Sequence, residues 1–124
     1  MIDFQNAKYN KLSETSPSDL SKDFPKMLVP DETIVAVFKA HRDGVVFTNK
    51  RVFVINVQGI TGKKVDYTSL PYSKIQAFSV ETAGVIDNDA ELDLWFSGLG
   101  HLKLEFSRST EISKICRIIS EHTL

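Results

Sequence analysis

The chain has 124 residues, of which 42% are apolar, so it is the size of one domain built around one core. A formal net charge of −1 argues against a dedicated nucleic-acid binder, and the apolar stretches fall far short of the ~20 residues that cross a bilayer. The N-terminus lacks a signal-peptide pattern, and the single cysteine, Cys116, excludes an intrachain disulfide. We therefore expect a cytoplasmic protein with one domain over residues 1–124.

Residues 1–15 show no sustained hydrophobic period and are predicted to be an irregular lead. A helical segment is predicted over residues 16–30, because Ser16 can cap free N–H groups and Pro17 suits the first helical position. Its apolar residues are spaced as one helical stripe: Leu20, Phe24, Met27 and Leu28. Pro25 predicts a kink within this segment.

From residue 33 to residue 107 the period changes to two, and β-branched and aromatic residues become frequent, which is typical of strands. Seven strands are predicted, at about 33–41, 44–48, 51–57, 63–69, 75–82, 90–96 and 102–106. Turn residues separate them. Asp43-Gly44 is expected to supply positive φ in the first hairpin, Asn49 forms the next corner, and Pro71 ends the fourth strand.

The last hairpin and the C-terminal segment give the clearest patterns. A loop at 98–100 would place the apolar residues of both flanking strands on one face and set Trp95 opposite Lys103. A helix is predicted over 109–122, capped by Ser109 or Thr110. Its apolar stripe consists of Ile112, Ile115, Cys116 and Ile119, with Ile118 widening it.

Seven short antiparallel strands with one apolar face each can close into a small barrel whose open end is covered by the last helix. The predicted fold class is therefore mostly β, a seven-stranded antiparallel barrel with a C-terminal capping helix and an N-terminal helical segment. Residues 45–98 resemble the bacterial pleckstrin-homology (PH) domain family, which is distantly similar to eukaryotic PH and GRAM domains. The motifs that carry the resemblance are TNKR, QGITGKK, SLPYSKI and DAEL.

The resemblance implies a binding or assembly module, since this family has no established enzymatic activity and its members associate into ring-like homo-oligomers. Charge along the chain agrees with assembly. Residues 33–75 carry seven Lys and Arg against two Asp and Glu, whereas residues 76–107 carry one against six. Such a division lets the basic surface of one copy meet the acidic surface of another, or steers an anionic ligand to one side.

Six cations are candidates for binding an anion such as a lipid headgroup or a phosphate: Lys39, Arg42, Lys50, Arg51, Lys63 and Lys64. The turn that carries Arg42 is too short to enclose a headgroup. A strand of seven residues spans about 20 Å, so the pair at 50–51 and the pair at 63–64 are expected at opposite ends of the third strand. We interpret them chiefly as turn and rim charges, with weak membrane-lipid binding as the alternative function.

Trp95 is predicted to face outward beside Glu91 and Asp93, because Leu94 and Phe96 face inward. It either covers a lysine stem or anchors an interface, and we favour the interface. The interface candidates are Trp95, Glu91, Asp93 and Lys103. The partners we expect are other copies of the chain, head to tail and possibly in a ring, together with an unidentified protein.

The sequence gives little support for a catalytic site or a metal site. The acidic run DNDAELD, which begins at Asp87, alternates like a calcium loop, but it has Leu92 where glycine is required and Gly98 where glutamate is required. His41, His101 and His122 share no metal-ligand spacing. We therefore expect no enzymatic activity, no cofactor and no metal.

Overall fold

The computed structural model describes residues 1–84, 89–107 and 110–124, and within them one curled sheet of eight strands packs against a C-terminal helix. The strands are β1 Lys8–Thr15, β2 Ile34–Ala40, β3 Asp43–Thr48, β4 Arg51–Gln58, β5 Lys64–Pro71, β6 Ile75–Glu81, β7 Ala90–Phe96 and β8 Gly100–Phe106. The helix, α1, is Ile112–Thr123.

The strand order across the sheet is β5-β4-β3-β2-β1-β8-β7-β6. β1 lies between the two halves, antiparallel to β2 and parallel to β8. β5 and β6 are the two edges, and no ladder joins them in the part of the chain that the structure describes. The predicted mostly β, PH-like class is confirmed, but the fold is an eight-stranded half-barrel with one parallel pair, not a closed antiparallel barrel of seven strands.

β1 is the strand that the sequence did not reveal, and the prediction of an irregular lead was wrong for Lys8–Thr15. The register shifts between Tyr9 and Leu12, and Lys11 has a φ of +56°. This bulge places Tyr9 and Leu12, three residues apart, on the same core side. A bulge removes the two-residue period by which strands are recognised.

The predicted helix over 16–30 is absent, and two 3₁₀ turns stand in its place, Pro17–Asp19 and Phe24–Met27. Ser16 does cap the first turn, accepting a hydrogen bond from the Ser18 N–H at 3.3 Å. Leu20 then has extended backbone, which interrupts the helical stripe. Short polar turns of this kind arise where side chains compete for backbone hydrogen bonds.

Two hairpins differ from prediction by small shifts. In the first, the positive φ falls on His41 at +60°, whereas Gly44 lies inside β3 opposite Lys39. In the last, Phe96 pairs with Gly100, so the loop is 97–99 and Trp95 lies opposite His101 instead of Lys103. The corner at 49–50 and the loop at 59–63 lie as predicted.

The main core fills the concave side of the sheet, and α1 covers one end of it. Ile115 and Ile119 are buried, and Ile112 and Ile118 pack against the core from partly exposed positions. Cys116 is only half-buried. Glu111 precedes the helix, so Thr110 is not its cap, and Ser109 lies outside the described residues.

A second apolar cluster lies on the opposite, outer face of β2–β5. Phe24 is fully buried there, with its ring centroid 5.0 Å from that of Phe53. The segment that carries Phe24 therefore crosses the outside of the sheet. Among the described residues, no helix is long and apolar enough to span a membrane.

Candidate functional site

The outer face of β7 and β8 carries an ordered aromatic and acidic surface. The Trp95 ring stacks on His101 with centroids 4.6 Å apart and planes 17° apart. The Asp93 carboxylate lies 2.6 Å from Nε2 of His101. Trp95 is still 39% exposed, so its ring is fixed on one side and open to contact on the other.

Next to this aromatic pair, oppositely charged side chains of β7 and β8 form ion pairs. Lys103 lies opposite Asp93, and its Nζ is 3.4 Å from Glu91 and 3.9 Å from Asp93. The charge of Asp93, the hydrogen bond to Glu91 and the charge of Glu91 raise the pKa of Lys103. Burial and the nearby carboxylates of Asp89 and Glu91 raise the pKa of Glu105.

All four interface candidates therefore lie together: Trp95, Glu91, Asp93 and Lys103. We call Trp95, His101, Asp93, Glu91 and Lys103 the β7–β8 surface. Sequence reasoning missed His101, because the predicted register set Trp95 opposite Lys103. The sequence signal is the pair Gly98 and Gly100, which permits a loop at 97–99 with Gly100 as the first residue of β8 and His101 opposite Trp95.

The six candidate cations do not form one site. Arg51 is occupied inside the fold: it donates to Glu32 through Nε at 2.9 Å and Nη2 at 2.8 Å, and also to the Met27 carbonyl. Its guanidinium lies 4.3 Å from the centre of the Phe53 ring. We call residues 16–33, which connect β1 to β2, the outer segment. Arg51 is thus a structural residue that fastens the outer segment to β4.

The remaining cations are exposed and divide between two ends of the sheet. Lys50 lies at the corner before β4, whereas Lys63 and Lys64 follow the loop after it, so the structure places the two basic pairs at opposite ends of that strand. Lys39 and Arg42 belong to the β2–β3 hairpin, at the same end as the 59–63 loop. Nη2 of Arg42 donates to the Gly59 carbonyl at 2.7 Å, which joins the two loops.

The described residues hold no group of three or more His, Cys, Asp and Glu side chains that could bind a metal ion. Asp87, the first residue of the rejected calcium pattern, lies outside the described residues. Burial raises the pKa of the Cys116 thiol, which disfavours the nucleophilic thiolate at neutral pH.

A curled β-sheet with a C-terminal helix over its open end is the architecture of a PH-like domain. A family model described as the bacterial PH domain matches residues 3–123, and the chain therefore belongs to the bacterial PH domain family. It is 39% identical to the protein YjqA of Bacillus subtilis (strain 168), over 87% of this chain and 88% of YjqA.

Solved structures of relatives share the fold. A DUF1696 family protein with a pleckstrin-homology domain from Shewanella loihica PV-4 is 38% identical and has a TM-score of 0.79, over 94% of this chain and all of that chain (100%). A pleckstrin homology domain from Shewanella amazonensis SB2B is 42% identical with a TM-score of 0.65, over 90% of this chain and 91% of that one. PH domain proteins of this family are not known as enzymes.

Proposed function

We propose that this protein is a non-enzymatic binding module that assembles with copies of itself, head to tail, through the β7–β8 surface. The observation that carries the proposal is the partly exposed Trp95, held in one orientation by His101, which Asp93 fixes in turn. A preorganised aromatic loses little entropy on binding, and tryptophan is a frequent interface anchor.

Charge supports the choice of a second copy as the partner. The strands β2–β5 belong to the basic stretch of the sequence, and β6–β8 belong to the acidic stretch. A heterologous contact between these halves closes into a ring if the rotation permits and otherwise continues as a filament. Surfaces left free by that assembly would then be presented to other proteins.

Native mass spectrometry and light scattering at physiological salt test this function. We expect the wild-type chain to form a defined oligomer and the Trp95→Ala variant to dissociate at the same concentration. Leu124→Ala is the matched control, because Leu124 is fully exposed and follows α1, outside both halves of the sheet. A wild-type chain that stays monomeric at high concentration rules the proposal out.

A second candidate function, weak binding of an anionic lipid headgroup or a phosphate-bearing ligand, is favoured by one feature. Arg42 and Lys63 lie on two neighbouring loops, Lys39 and Lys64 lie in the strands next to these loops, and the exposed Ile60 is on the second loop. Cations around an exposed apolar tip suit an acidic membrane surface. Vesicle co-sedimentation tests it: binding should require acidic lipid and weaken as salt rises, and no binding at low salt excludes it.

A further inference from the structure

The outer face of β2–β5 is apolar, although the outer face of an antiparallel sheet is usually polar. Its buried residues are Val37, Val46, Phe53 and Ile55, with Val65 and Tyr67 packed beside them. Phe24 covers part of this face, where its ring contacts those of Phe53 and Tyr67. The part nearest the β2–β3 hairpin is left open.

This open part is a groove of about 310 Å³. We call it the outer groove. Its floor and walls are formed by Gly44, Ile55, Val57, Val65, Leu20 and Tyr67. Ligand pockets for small molecules begin at about 300 Å³, so the outer groove suits one short apolar chain and is too small for a helix.

Gly44 keeps the floor of the outer groove open. It is buried inside β3, and its φ lies outside the positive region, so no turn requires glycine there. A Cβ at this position would come within 3.3 Å of the Phe38 carbonyl oxygen and 3.8 Å of the Ile55 side chain. Glycine inside a strand often marks close approach by a ligand or another backbone.

Charged groups stand at the rim of the groove. The Lys39 ammonium has no hydrogen-bond or ion-pair partner in the part of the chain that the structure describes, and Arg42 uses one N–H for the Gly59 carbonyl. Two carboxylates also lie at the rim, where Asp43 accepts from the Val57 N–H at 3.1 Å and Asp19 accepts from Thr15. Their charges balance those of Lys39 and Arg42, and Lys39 and Arg42 are the charged side chains there with N–H donors left for a ligand.

We propose that the outer groove binds a small amphipathic anion: a linear aliphatic chain along Ile55, Val57 and Val65, with a carboxylate head at Arg42 and Lys39. The aliphatic chain would bury apolar surface that is now open to water, and a guanidinium can hold a carboxylate by paired hydrogen bonds. This site is separate from the β7–β8 surface, and it shares Lys39 and Arg42 with the anionic-lipid candidate.

The test is titration of the ¹⁵N-labelled full chain with decanoate, followed by amide chemical shifts. We expect saturable shifts at Gly44, Gly62 and Val57, with a dissociation constant of about 0.2–1 mM for a ligand of this size. Decanol should bind more weakly, and decyltrimethylammonium more weakly still. Absence of saturable shifts at these amides, or equal binding of the cationic detergent, overturns the proposal.

Variants measure separately what the carboxylate head and the aliphatic chain of the ligand contribute to binding. Arg42→Gln and Lys39→Gln should each weaken decanoate binding about fivefold and leave decanol binding unchanged. Lys50→Gln, at the far end of β4, is the matched control and should change neither. Gly44→Ala should weaken both ligands, because the added methyl occupies the floor. If the same amides shift on dilution of the protein without ligand, a second copy covers the groove and the small-ligand proposal fails.

Discussion

Glu32 and Arg51 form a two-point ion pair in which the Glu32 side chain is completely buried. Oε2 of Glu32 also accepts a hydrogen bond from the Thr48 hydroxyl at 2.7 Å. Oε1 accepts one from the Val29 N–H at 3.2 Å. The pair links the outer segment to the start of β4. Tyr72 extends the network, donating its hydroxyl to the Thr48 carbonyl at 2.6 Å.

Replacing Glu32 should therefore destabilise the fold strongly. Glu32→Ala leaves the Arg51 guanidinium without its carboxylate, and losing one partner of a buried pair costs about 3 kcal/mol. Urea unfolding followed by circular dichroism measures the free energy of unfolding. Lys50→Ala, next to Arg51 but exposed and outside the pair, should change it by less than about 0.5 kcal/mol. Equal stability of the two variants would show that the pair contributes nothing.

The same carboxylate predicts a pH dependence. Burial alone would raise the pKa of Glu32, but hydrogen bonds from Arg51, Thr48 and the Val29 N–H, with the Arg51 charge, bring it below the ordinary value of 4.5. A folded-state pKa below the unfolded one gives stability that is present above the unfolded value and lost as pH falls through the folded one.

We thus expect the wild-type free energy of unfolding to fall as pH drops below about 4.5, and Glu32→Gln to show a shallower fall. Denaturant unfolding at a series of pH values between about 7 and 3 measures both slopes. Asp3 and Asp66, whose pKa values are also lowered, are unchanged in the variant, so the difference in slope reports Glu32. Identical slopes contradict this assignment.

The sheet was predictable wherever its two-residue period is unbroken. The strands β2–β8 and α1 follow from alternation and from one isoleucine stripe, and the structure places them within a few residues of the predicted bounds. β1 was not predictable, since the bulge at Lys11 removes its period. Residues 16–30 were predicted to be a helix because their apolar spacing is helical, whereas Phe24 alone among the four stripe residues is buried.

The candidate sites were predictable in position but not in partnership. Parity alone put Trp95 outward with Glu91 and Asp93, and that orientation is confirmed. The residue opposite Trp95 depends on where the hairpin loop begins. A loop at 98–100 would place Lys103 there, whereas the loop at 97–99 in the structure places His101 there. Arg51 was counted as a surface cation because its acceptor, Glu32, lies in a segment whose path over the sheet no periodicity reveals.

Left-handed backbone at His41 predicts a stabilising substitution. His41 has a φ of +60° in a two-residue turn, a conformation that costs a non-glycine residue about 1 kcal/mol. His41→Gly should therefore raise the free energy of unfolding by several tenths of a kcal/mol, after the entropy that glycine loses on folding. Lys50→Gly, in the other two-residue hairpin with ordinary φ, should lower it. Thermal unfolding of the two variants compares them.

Asp93 is predicted to act on assembly through His101. Asp93→Asn replaces a carboxylate that holds His101 at 2.6 Å by a weaker neutral partner, so His101 and the stacked Trp95 become less ordered. We expect the oligomer to dissociate at a concentration several-fold higher than wild type, with little change in unfolding. Sedimentation across a dilution series measures this. Glu81→Gln, on neighbouring β6, is the control, and an equal effect there would assign the change to net charge.

Gly98 and Gly100 provide a test of how closely the N-terminal segment packs on β8. Both have positive φ, at +79° and +138°, so alanine is strained at either position. Only at Gly100 would a Cβ also collide, 2.8 Å from the Cβ of Phe4, whereas the space around Gly98 is open. Gly98→Ala should cost about 1 kcal/mol, and Gly100→Ala about 2–3 kcal/mol, in the free energy of unfolding.

A double-mutant cycle separates collision from strain. Phe4→Gly alone loses the edge contact with Phe96, whose ring centroid is 6.3 Å away. Combined with Gly100→Ala it should cost less than the sum of the two single changes, because glycine lacks the Cβ with which the new methyl collides. Phe4→Gly with Gly98→Ala should be additive. Additivity in both pairs would place Phe4 away from the start of β8, since residues in contact couple and distant ones do not.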